Sequence, residues 1–504
     1  MRRQLAQAHY VIRSVGRLLL RYLDPVLLVL LPSGSRLTAQ ASLREGFRRF
    51  AVIKQVASGQ RRSPRGLREL AEDAVRHLDD AVAGNTALFL AHRLASTCHS
   101  LAGNVDAFYR RLIAYGEAKD AYAASRQLDR LGIRCIPPYP LMRTIGNTAV
   151  YESLVKCRTL DGETSRLFLL YDRRRAGDFV NPHMLTYWRD HMTVIDDPET
   201  IRALTPMLAS LTDDDSGPTK YSGRYLPTHS ALALAGRQWE DEKRSPIFSL
   251  RPFDRERGMS VLREIGLDED DWFACLHVRE GGAKGNEPFR QAPISDYIPA
   301  IEAVTRRGGW VFRMGDPSMT PLPAINRVVD YATSTLRRDW MDVFLCGACR
   351  FFIGTSSGLY TVAHAFGRPI VQTNYLPTST LSLGTKDLFL PKLVRYRRTG
   401  ELMPFADLMG PPFNNAGNDA LYGKVFDVTI INNTPEELVE VVEEMMDQLV
   451  QHDQEDDALQ ARFRALTAEV GTLVGLPGVP LNCRIGSAFL NRHRDLLPPL
   501  TSDT

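Results

Sequence analysis

In the second half of the chain, short apolar runs alternate with longer stretches of helical period. Phe273-Ala-Cys-Leu-His-Val278 reads as a buried strand. Ser295 caps a helix carrying Ile298, Ile301 and Val304, and Trp310-Val-Phe312 follows as a strand. Val328-Val329 is a shorter strand, Trp340 to Leu345 a helix, and Phe351 to Ile353 a strand. Leu359, Val362, Ala363 and Phe366 then share a helical face until Gly367, and Ile370 to Gln372 is again a strand. Strands that alternate with helices predict a parallel, doubly wound sheet. Thr434-Pro435-Glu436-Glu437 predicts a helix start, with Thr as N-cap, Pro at N1 and Glu at N3. That helix runs to about Val450, and residues 456–474 predict another.

The first half is less regular. Residues 64–132 read as four helices: one through Leu67, Leu70, Ala71, Ala74 and Leu78, then 86–101, Val105 to Tyr115, and Ala118 to Leu131. Two consecutive helical hairpins of this size resemble tetratricopeptide-type repeats. Ile133-Arg-Cys-Ile136 predicts a short strand, and Pro137, Pro138 and Pro140 punctuate a linker. A helical run through Val155 and strands at Leu167 to Tyr171 and Thr193 to Ile195 indicate an α/β domain, while 211–245 reads mostly as loop. The expected divisions are a basic segment (1–63), helical hairpins (64–132), a first α/β domain (140–262), a second (263–455) and a helix with a tail (456–504).

Charge changes the reading of the N-terminus. The net charge of the 504 residues is +3, yet residues 1–68 hold fourteen Lys/Arg against Asp24 and Glu45. A basic piece on an acidic body suits an anionic surface. Residues 1–31 carry Arg13, Arg17 and Arg21 at four-residue spacing beside Ile12, Val15, Leu19 and Tyr22, the pattern of an interfacial helix or of one packed on the body. Leu18 to Leu31 is broken by Arg21, Asp24 and Pro25, so no transmembrane span is expected. A signal peptide lacks a clear cleavage site. The seven cysteines are odd in number and lie partly in apolar runs, which fits a reducing, cytoplasmic compartment. Cys346-Gly-Ala-Cys349 has no second pair and reads as core.

Open α/β sheets bind ligands beyond the carboxyl ends of their strands. Polar residues follow every expected strand there: His277, Arg279 and Glu280; Arg313, Gly315 and Asp316; Asp330 and Tyr331; Thr355, Ser356, Ser357 and Gly358; Thr373 and Asn374. The loop Gly354-Thr-Ser-Ser-Gly358 is either a tight turn with Ser357 as N-cap or a cradle for phosphate. Arginines and small hydroxyl loops together suit a nucleotide diphosphate, and Asp330 or Asp316 could take ribose or base donors. Asp213-Asp-Asp215 lacks a preceding apolar strand and reads as a solvated loop rather than a DxD metal site.

Leu276-His-Val-Arg-Glu280, Phe289-Arg290, Asp296-Tyr-Ile-Pro-Ala-Ile301, Phe312-Arg-Met-Gly-Asp316, Asp330-Tyr331, Asp342 and Phe352-Ile-Gly-Thr-Ser-Ser-Gly358 occur in that order. The set resembles a bacterial glycosyltransferase family associated with surface polysaccharides, and distantly resembles fucosyltransferases with an HxR motif. The resemblance covers roughly residues 140–450. It implies a GT-B architecture of two Rossmann-like domains, an acceptor on the first, a nucleotide sugar on the second, and no obligatory metal or other cofactor. It also implies that Arg279 meets the donor diphosphate, that Ser356, Ser357 and Gly358 form the phosphate-side loop, and that Asp342 is an acidic position on the preceding helix. His277, Arg290, Arg313, Gly315, Asp316, Asp330, Tyr331, Thr355 and Asn374 complete the expected donor site. After Arg279 the sequence leaves the fucosyltransferase pattern with Glu280-Gly281-Gly282, so fucose is not implied.

Transfer requires that the acceptor hydroxyl lose its proton and the leaving diphosphate be stabilised. Glu280 is the candidate base, with Asp172 and His183 behind it, and Arg279 the candidate partner of the leaving group. Glu280 pairing with Arg290, a local pairing of Asp172 and simple packing of His183 are the structural alternatives. The expected activity is transfer of a hexosyl or deoxyhexosyl group to a glycan, lipid-linked or protein acceptor, at the cytoplasmic membrane face, with residues 1–65 on anionic lipid. A nucleotide-sugar epimerase of the same fold and a non-catalytic helical-repeat adaptor are the other readings. No nucleic-acid module is recognisable, and the acidic body argues against nucleic acid as a partner.

Overall fold

A computed structural model of the chain describes residues 37–57, 67–84, 89–102, 104–136, 145–171, 174, 181–204, 218–280, 288–378, 383–410, 413–415, 422–423, 426–451, 457–470 and 481–499. Two compact units divide the chain. The first takes Met1–Arg143, Ser153–Val180 and Leu185–Ala231, and the second Thr144–Glu152, Asn181–Met184 and Leu232–Thr504. The interfacial helix expected within residues 1–31, Asp172, Asp213 to Asp215 and Gly281-Gly282 lie outside the described residues.

The first unit opens with four helices, α1 (Leu37–Ala57), α2 (Leu67–Gly84), α3 (Phe89–Ala102) and α4 (Val105–Ser125), each packed chiefly on the next. The core shared by α1, α2 and α3 is rich in small residues. Ala71, Ala74, Ala81, Ala91 and Ala95 let the backbones approach, while Leu43, Phe50, Leu78 and Leu94 fill the remaining space. The expected break after Tyr115 does not occur, and α4 runs through Gly116. A Cβ there would lie 2.5 Å from the Tyr225 ring, so the glycine makes room for a neighbour rather than ending a helix. The region expected to be mostly loop instead holds an antiparallel hairpin and a helix over Thr228–Asp241. Three parallel strands precede that hairpin, β1 (Ile133–Ile136), β2 (Arg166–Leu170) and β3 (Thr193–Ile195), and the hairpin itself is β4 (Pro218–Tyr221) with β5 (Arg224–Pro227).

The second unit is built on a seven-stranded parallel sheet. Helix α5 (Pro252–Glu264) leads into β6 (Phe273–His277), α6 (Ile298–Arg306), β7 (Trp310–Arg313) and β8 (Val328–Val329). Next come α7 (Asp339–Ala348), β9 (Phe351–Gly354), α8 (Leu359–Ala365), β10 (Ile370–Tyr375) and β11 (Leu388–Pro391). A two-stranded antiparallel ribbon, β12 (Leu393–Tyr396) with β13 (Val428–Ile431), precedes α9 (Pro435–Gln451), and β14 (Arg484–Ile485) completes the sheet. The strand order is β14-β11-β10-β9-β6-β7-β8. β6, β9, β10 and β11 are buried along their whole length, as strands covered on both faces require.

The start of α9 is as the sequence predicts. Thr434 N–H donates to Glu437 Oε2 at 3.0 Å and Glu437 N–H to Thr434 Oγ1 at 3.3 Å, a reciprocal capping box. α5 packs on α7 where Gly258 meets the Phe344 ring. Segment 456–504, expected as a helix and tail, holds a helix over Ala458–Val470 and also adds a two-residue strand to the sheet. Arg484 and Ile485 pair with Leu388 and Phe389 of β11, because an apolar edge strand needs a partner. Residues 144–152 and 181–184, expected in the first α/β domain, belong to the second unit. Two α/β units, each with a parallel sheet, behind a helical segment match the composition expected of a GT-B fold. No helix among the described residues is long and apolar enough to cross a membrane.

Candidate functional site

The sheet order contains one reversal. From β6 the chain builds outward through β7 and β8, then crosses back to place β9, β10 and β11 on the other side. The adjacent β6 and β9 therefore send their following loops in opposite directions, which opens a crevice at their carboxyl ends, the usual ligand position in such sheets. His277 ends β6 in register with Gly354 of β9. Thr355 N–H donates to His277 O at 3.1 Å, and Arg279 N–H donates to Thr355 Oγ1 at 2.9 Å. The two post-strand segments are thus stitched together, and His277, Arg279 and the Thr355-Ser356-Ser357 loop meet.

Nδ1 of His277 and Oγ of Ser357, both buried at this junction, have no protein partner among the described residues. These residues are 9% and 5% exposed. A buried polar atom without a partner forfeits about 1–3 kcal/mol, so unpaired groups tend to mark a place that something else fills. Burial pushes His277 down to about 4, and the Arg279 and Arg313 charges add to this while Asp316 opposes it. The imidazole is therefore neutral near pH 7. Ser357 is not the N-cap. That position falls to Gly358, with no side-chain cap bond. A Cβ on Gly358 would lie 2.5 Å from Gly146 N, so the loop turns where only glycine fits.

Other expected donor residues are engaged within the protein. Ser356 Oγ donates to Leu376 O at 2.8 Å and accepts from Leu376 N–H at 3.2 Å. Arg290 Nε donates to Ser356 O at 2.9 Å, so this arginine braces the loop. Arg313 is wholly buried. Nη2 pairs with Glu280 at 2.8 Å, Nη1 with Asp330 at 3.0 Å, and Nη2 also donates to Thr320 O. The sequence alternative paired Glu280 with Arg290, but strand register decides otherwise, since Leu276 lies opposite Arg313. Glu280 Oε2 takes both Arg313 and Thr320 N–H, which makes this carboxylate a clamp between strand ends rather than an unengaged base. Gly315 has φ +146° and abuts Met319, so it serves the turn. Asp316 Oδ1 accepts from Ser318 N–H at 2.9 Å.

Tyr331 is buried and its hydroxyl donates to Asp342 Oδ1 at 2.6 Å. Burial pushes Asp342 up to about 6, opposed by the bond from Tyr331. Asn374 is also enclosed. Its N–H donates to Asn433 Oδ1 at 2.6 Å, its Oδ1 accepts from Asn433 N–H at 2.7 Å, and its Nδ2 donates to Tyr297 Oη at 2.9 Å. It fastens β10 to the start of α9. Thr373 Oγ1 donates to Gly354 O at 3.1 Å and lies 2.7 Å from Tyr297 Oη.

Sequence reasoning missed three polar groups. Asp254 sits 2.9 Å from His183 Nε2, Asn181 Nδ2 donates to Asp339 O at 2.8 Å, and Glu152 sits 3.0 Å from His364 Nδ1. Nothing in the spacing of these residues signals the pairings, which join segments 71, 158 and 212 residues apart. Cys275, Cys346 and Cys349 are wholly buried, and burial pushes the Cys275 and Cys346 thiols well up, so the CxxC is core as read. Among the described residues no group of three or more His, Cys, Asp or Glu is placed to hold a metal ion. An open cavity of about 770 Å³ in the first unit lies at the amino ends of β2 and β3, lined by Arg158, Arg166, Arg189 and His191 among others. That is the end of a parallel sheet opposite to the one that usually binds ligands.

No protein-family model matches the chain, and no curated protein does. Among solved structures, it is similar to a glycosyl transferase family 9 protein from Veillonella parvula, with 11% identity over 48% of this chain and 79% of that one and a TM-score of 0.32. It is similar to E. coli ADP-heptose LPS heptosyltransferase II, with 15% identity over 64% and 99% of the two chains and a TM-score of 0.36. A third is the dodecameric iron-containing heptosyltransferase TibC in complex with ADP-D-beta-D-heptose, with 12% identity over 63% and 77% and a TM-score of 0.34. None of these three is a fucosyltransferase.

Proposed function

We propose that the chain is a glycosyltransferase whose second unit holds the diphosphate of a nucleotide sugar at the reversal between β6 and β9. One observation carries the reading: His277 Nδ1 and Ser357 Oγ are buried without partners where the strand order reverses. A phosphate oxygen accepts from Ser357 Oγ–H. A neutral imidazole meets an oxygen through whichever nitrogen carries the proton. Arg279 supplies positive charge from the same loop and offsets that of the leaving diphosphate. Arg290 acts by bracing the Ser356 carbonyl, and Glu280, Arg313 and Asp330 by fixing the strand ends. The transferred sugar goes to a glycan, lipid-linked or protein acceptor in surface-polysaccharide or glycoconjugate synthesis. No resident metal takes part, and the basic residues 1–65 rest on an anionic membrane surface from the cytoplasmic side.

Calorimetry with UDP, GDP and ADP tests the site. One of them binds, and Arg279→Ala weakens it about tenfold to a hundredfold, the worth of a hydrogen bond to a charged group. If none binds the unmodified chain, the proposal fails. A donor panel of UDP-glucose, GDP-mannose, GDP-fucose and ADP-heptose then identifies the sugar by release of nucleoside diphosphate. Binding to phosphatidylserine vesicles, compared with a chain lacking residues 1–35, tests the membrane contact. Equal binding by both removes it.

A further inference from the structure

Glycosyl transfer needs a group to accept the proton of the acceptor hydroxyl, and the structure takes Glu280 Oε2 into the Arg313 clamp. A second carboxylate system lies on the same edge of the sheet. Tyr331 follows β8, and its hydroxyl donates to Asp342 on the first turn of α7. Asn181 is hydrogen-bonded to the same turn, through Nδ2 to Asp339 O at 2.8 Å. Two residues along, His183 Nε2 meets Asp254 Oδ2 at 2.9 Å. Asp254 is buried in the first turn of the thirteen-residue helix α5, where the helix dipole stabilises negative charge. The chain Tyr331–Asp342–Asn181–His183–Asp254 therefore places a histidine–carboxylate pair on the carboxyl side of the sheet. Asn181 Oδ1 is also buried and has no partner among the described residues.

We propose that His183, oriented by Asp254, is the base that deprotonates the acceptor hydroxyl, and that Asn181 Oδ1 receives a second hydroxyl of the same acceptor. This rests on the transferase reading above. A buried carboxylate behind an imidazole fixes its ring orientation and stabilises the cation formed on proton uptake. The step balances. The acceptor O–H proton passes to His183, the acceptor oxygen forms a bond to the anomeric carbon, and the bond from that carbon to the diphosphate oxygen breaks. Its electron pair leaves with the nucleoside diphosphate, and the proton on His183 is later lost to water. Asp254 is a positioning residue, since it acts through His183.

The test uses the full chain with water standing in for the acceptor. UDP-glucose, GDP-mannose, GDP-fucose and ADP-heptose are screened for release of nucleoside diphosphate, and the donor hydrolysed fastest is kept. His183→Ala lowers kcat about a hundredfold or more, with KM and nucleoside-diphosphate affinity within about threefold of the parent. Added imidazole restores part of the lost rate. Asp254→Asn lowers kcat less, and its rate does not respond to imidazole. A His183→Ala kcat within about threefold of the parent overturns the assignment, as does a loss that follows a fall in Tm or in nucleotide affinity. If the unmodified chain binds UDP, GDP or ADP and hydrolyses a donor, yet His183→Ala is silent, only this inference fails. If it binds none, the transferase reading fails and this inference with it.

Discussion

The carboxyl edge of the seven-stranded sheet has two sides that use similar residues in opposite ways. Toward β7 and β8, Arg313, Glu280, Asp330, Tyr331 and Asp342 bond to one another and to nearby backbone, with only Arg313 Nε left without a partner. Toward β9, His277 and Ser357 are just as enclosed and leave polar atoms unmatched at the crevice. Being polar, buried and at a strand end does not separate ligand contact from structural clamp. What separates them is whether the partners are already present, together with the position of the strand reversal.

The largest effect expected from breaking this contrast is on the clamped side. Arg313→Met leaves Glu280 and Asp330 near an uncharged, buried side chain and costs about 3–5 kcal/mol, read by urea denaturation. The pH dependence on the other side comes next. His277 is held near 4 in the folded chain and near 6.5 when unfolded, so the unfolded chain binds the extra proton between these values. Stability from this group is present above pH 6.5 and is lost as pH falls toward 4, by about 3 kcal/mol relative to His277→Gln. The difference in ΔG between the two chains across that window checks it, and a flat difference would count against a neutral buried imidazole.

Asp342 works in the reverse sense. Raised to about 6, it favours the folded chain as pH falls from about 6 to 4. Asp342→Asn removes that gain, and urea midpoints at the two pH values show it. The smallest and most diagnostic change is Ser357→Ala. It removes an unmatched hydroxyl, so stability should hold or rise by about 1 kcal/mol while nucleoside-diphosphate affinity falls several-fold. Melting and calorimetry on the same sample read both, and a joint fall would make Ser357 another clamp.

Much of the second unit was legible because its strands are apolar, short and evenly separated by helices. β6, β7, β8, β9 and β10 fall where periodicity places them, and so do the polar residues that follow. β11 and β14 were missed. The first is a four-residue run ending in proline and the second has two residues, too little for a period to show. The β4–β5 hairpin was missed because Pro218-Thr-Lys-Tyr221 and Arg224-Tyr-Leu-Pro227 carry no apolar alternation. Pairings across the fold were least legible. The sequence offers Arg290 as a partner for Glu280, whereas the fold supplies Arg313. Asp254 and Asn181 offered no signal at all, since the reason for their burial lies in chain segments far from them in sequence.

β14 joins the sheet from nearly a hundred positions beyond its neighbour β11, and this sets an order of assembly. While the chain is being synthesised, β6 to β11 can form and leave the outer side of β11 as an open edge. That edge is a template for another molecule until Arg484 and Ile485 emerge to cover it. The unit is thus most exposed to aggregation late in its own synthesis. Slowing translation over residues 392–483 should lower soluble yield more than slowing it over 300–390.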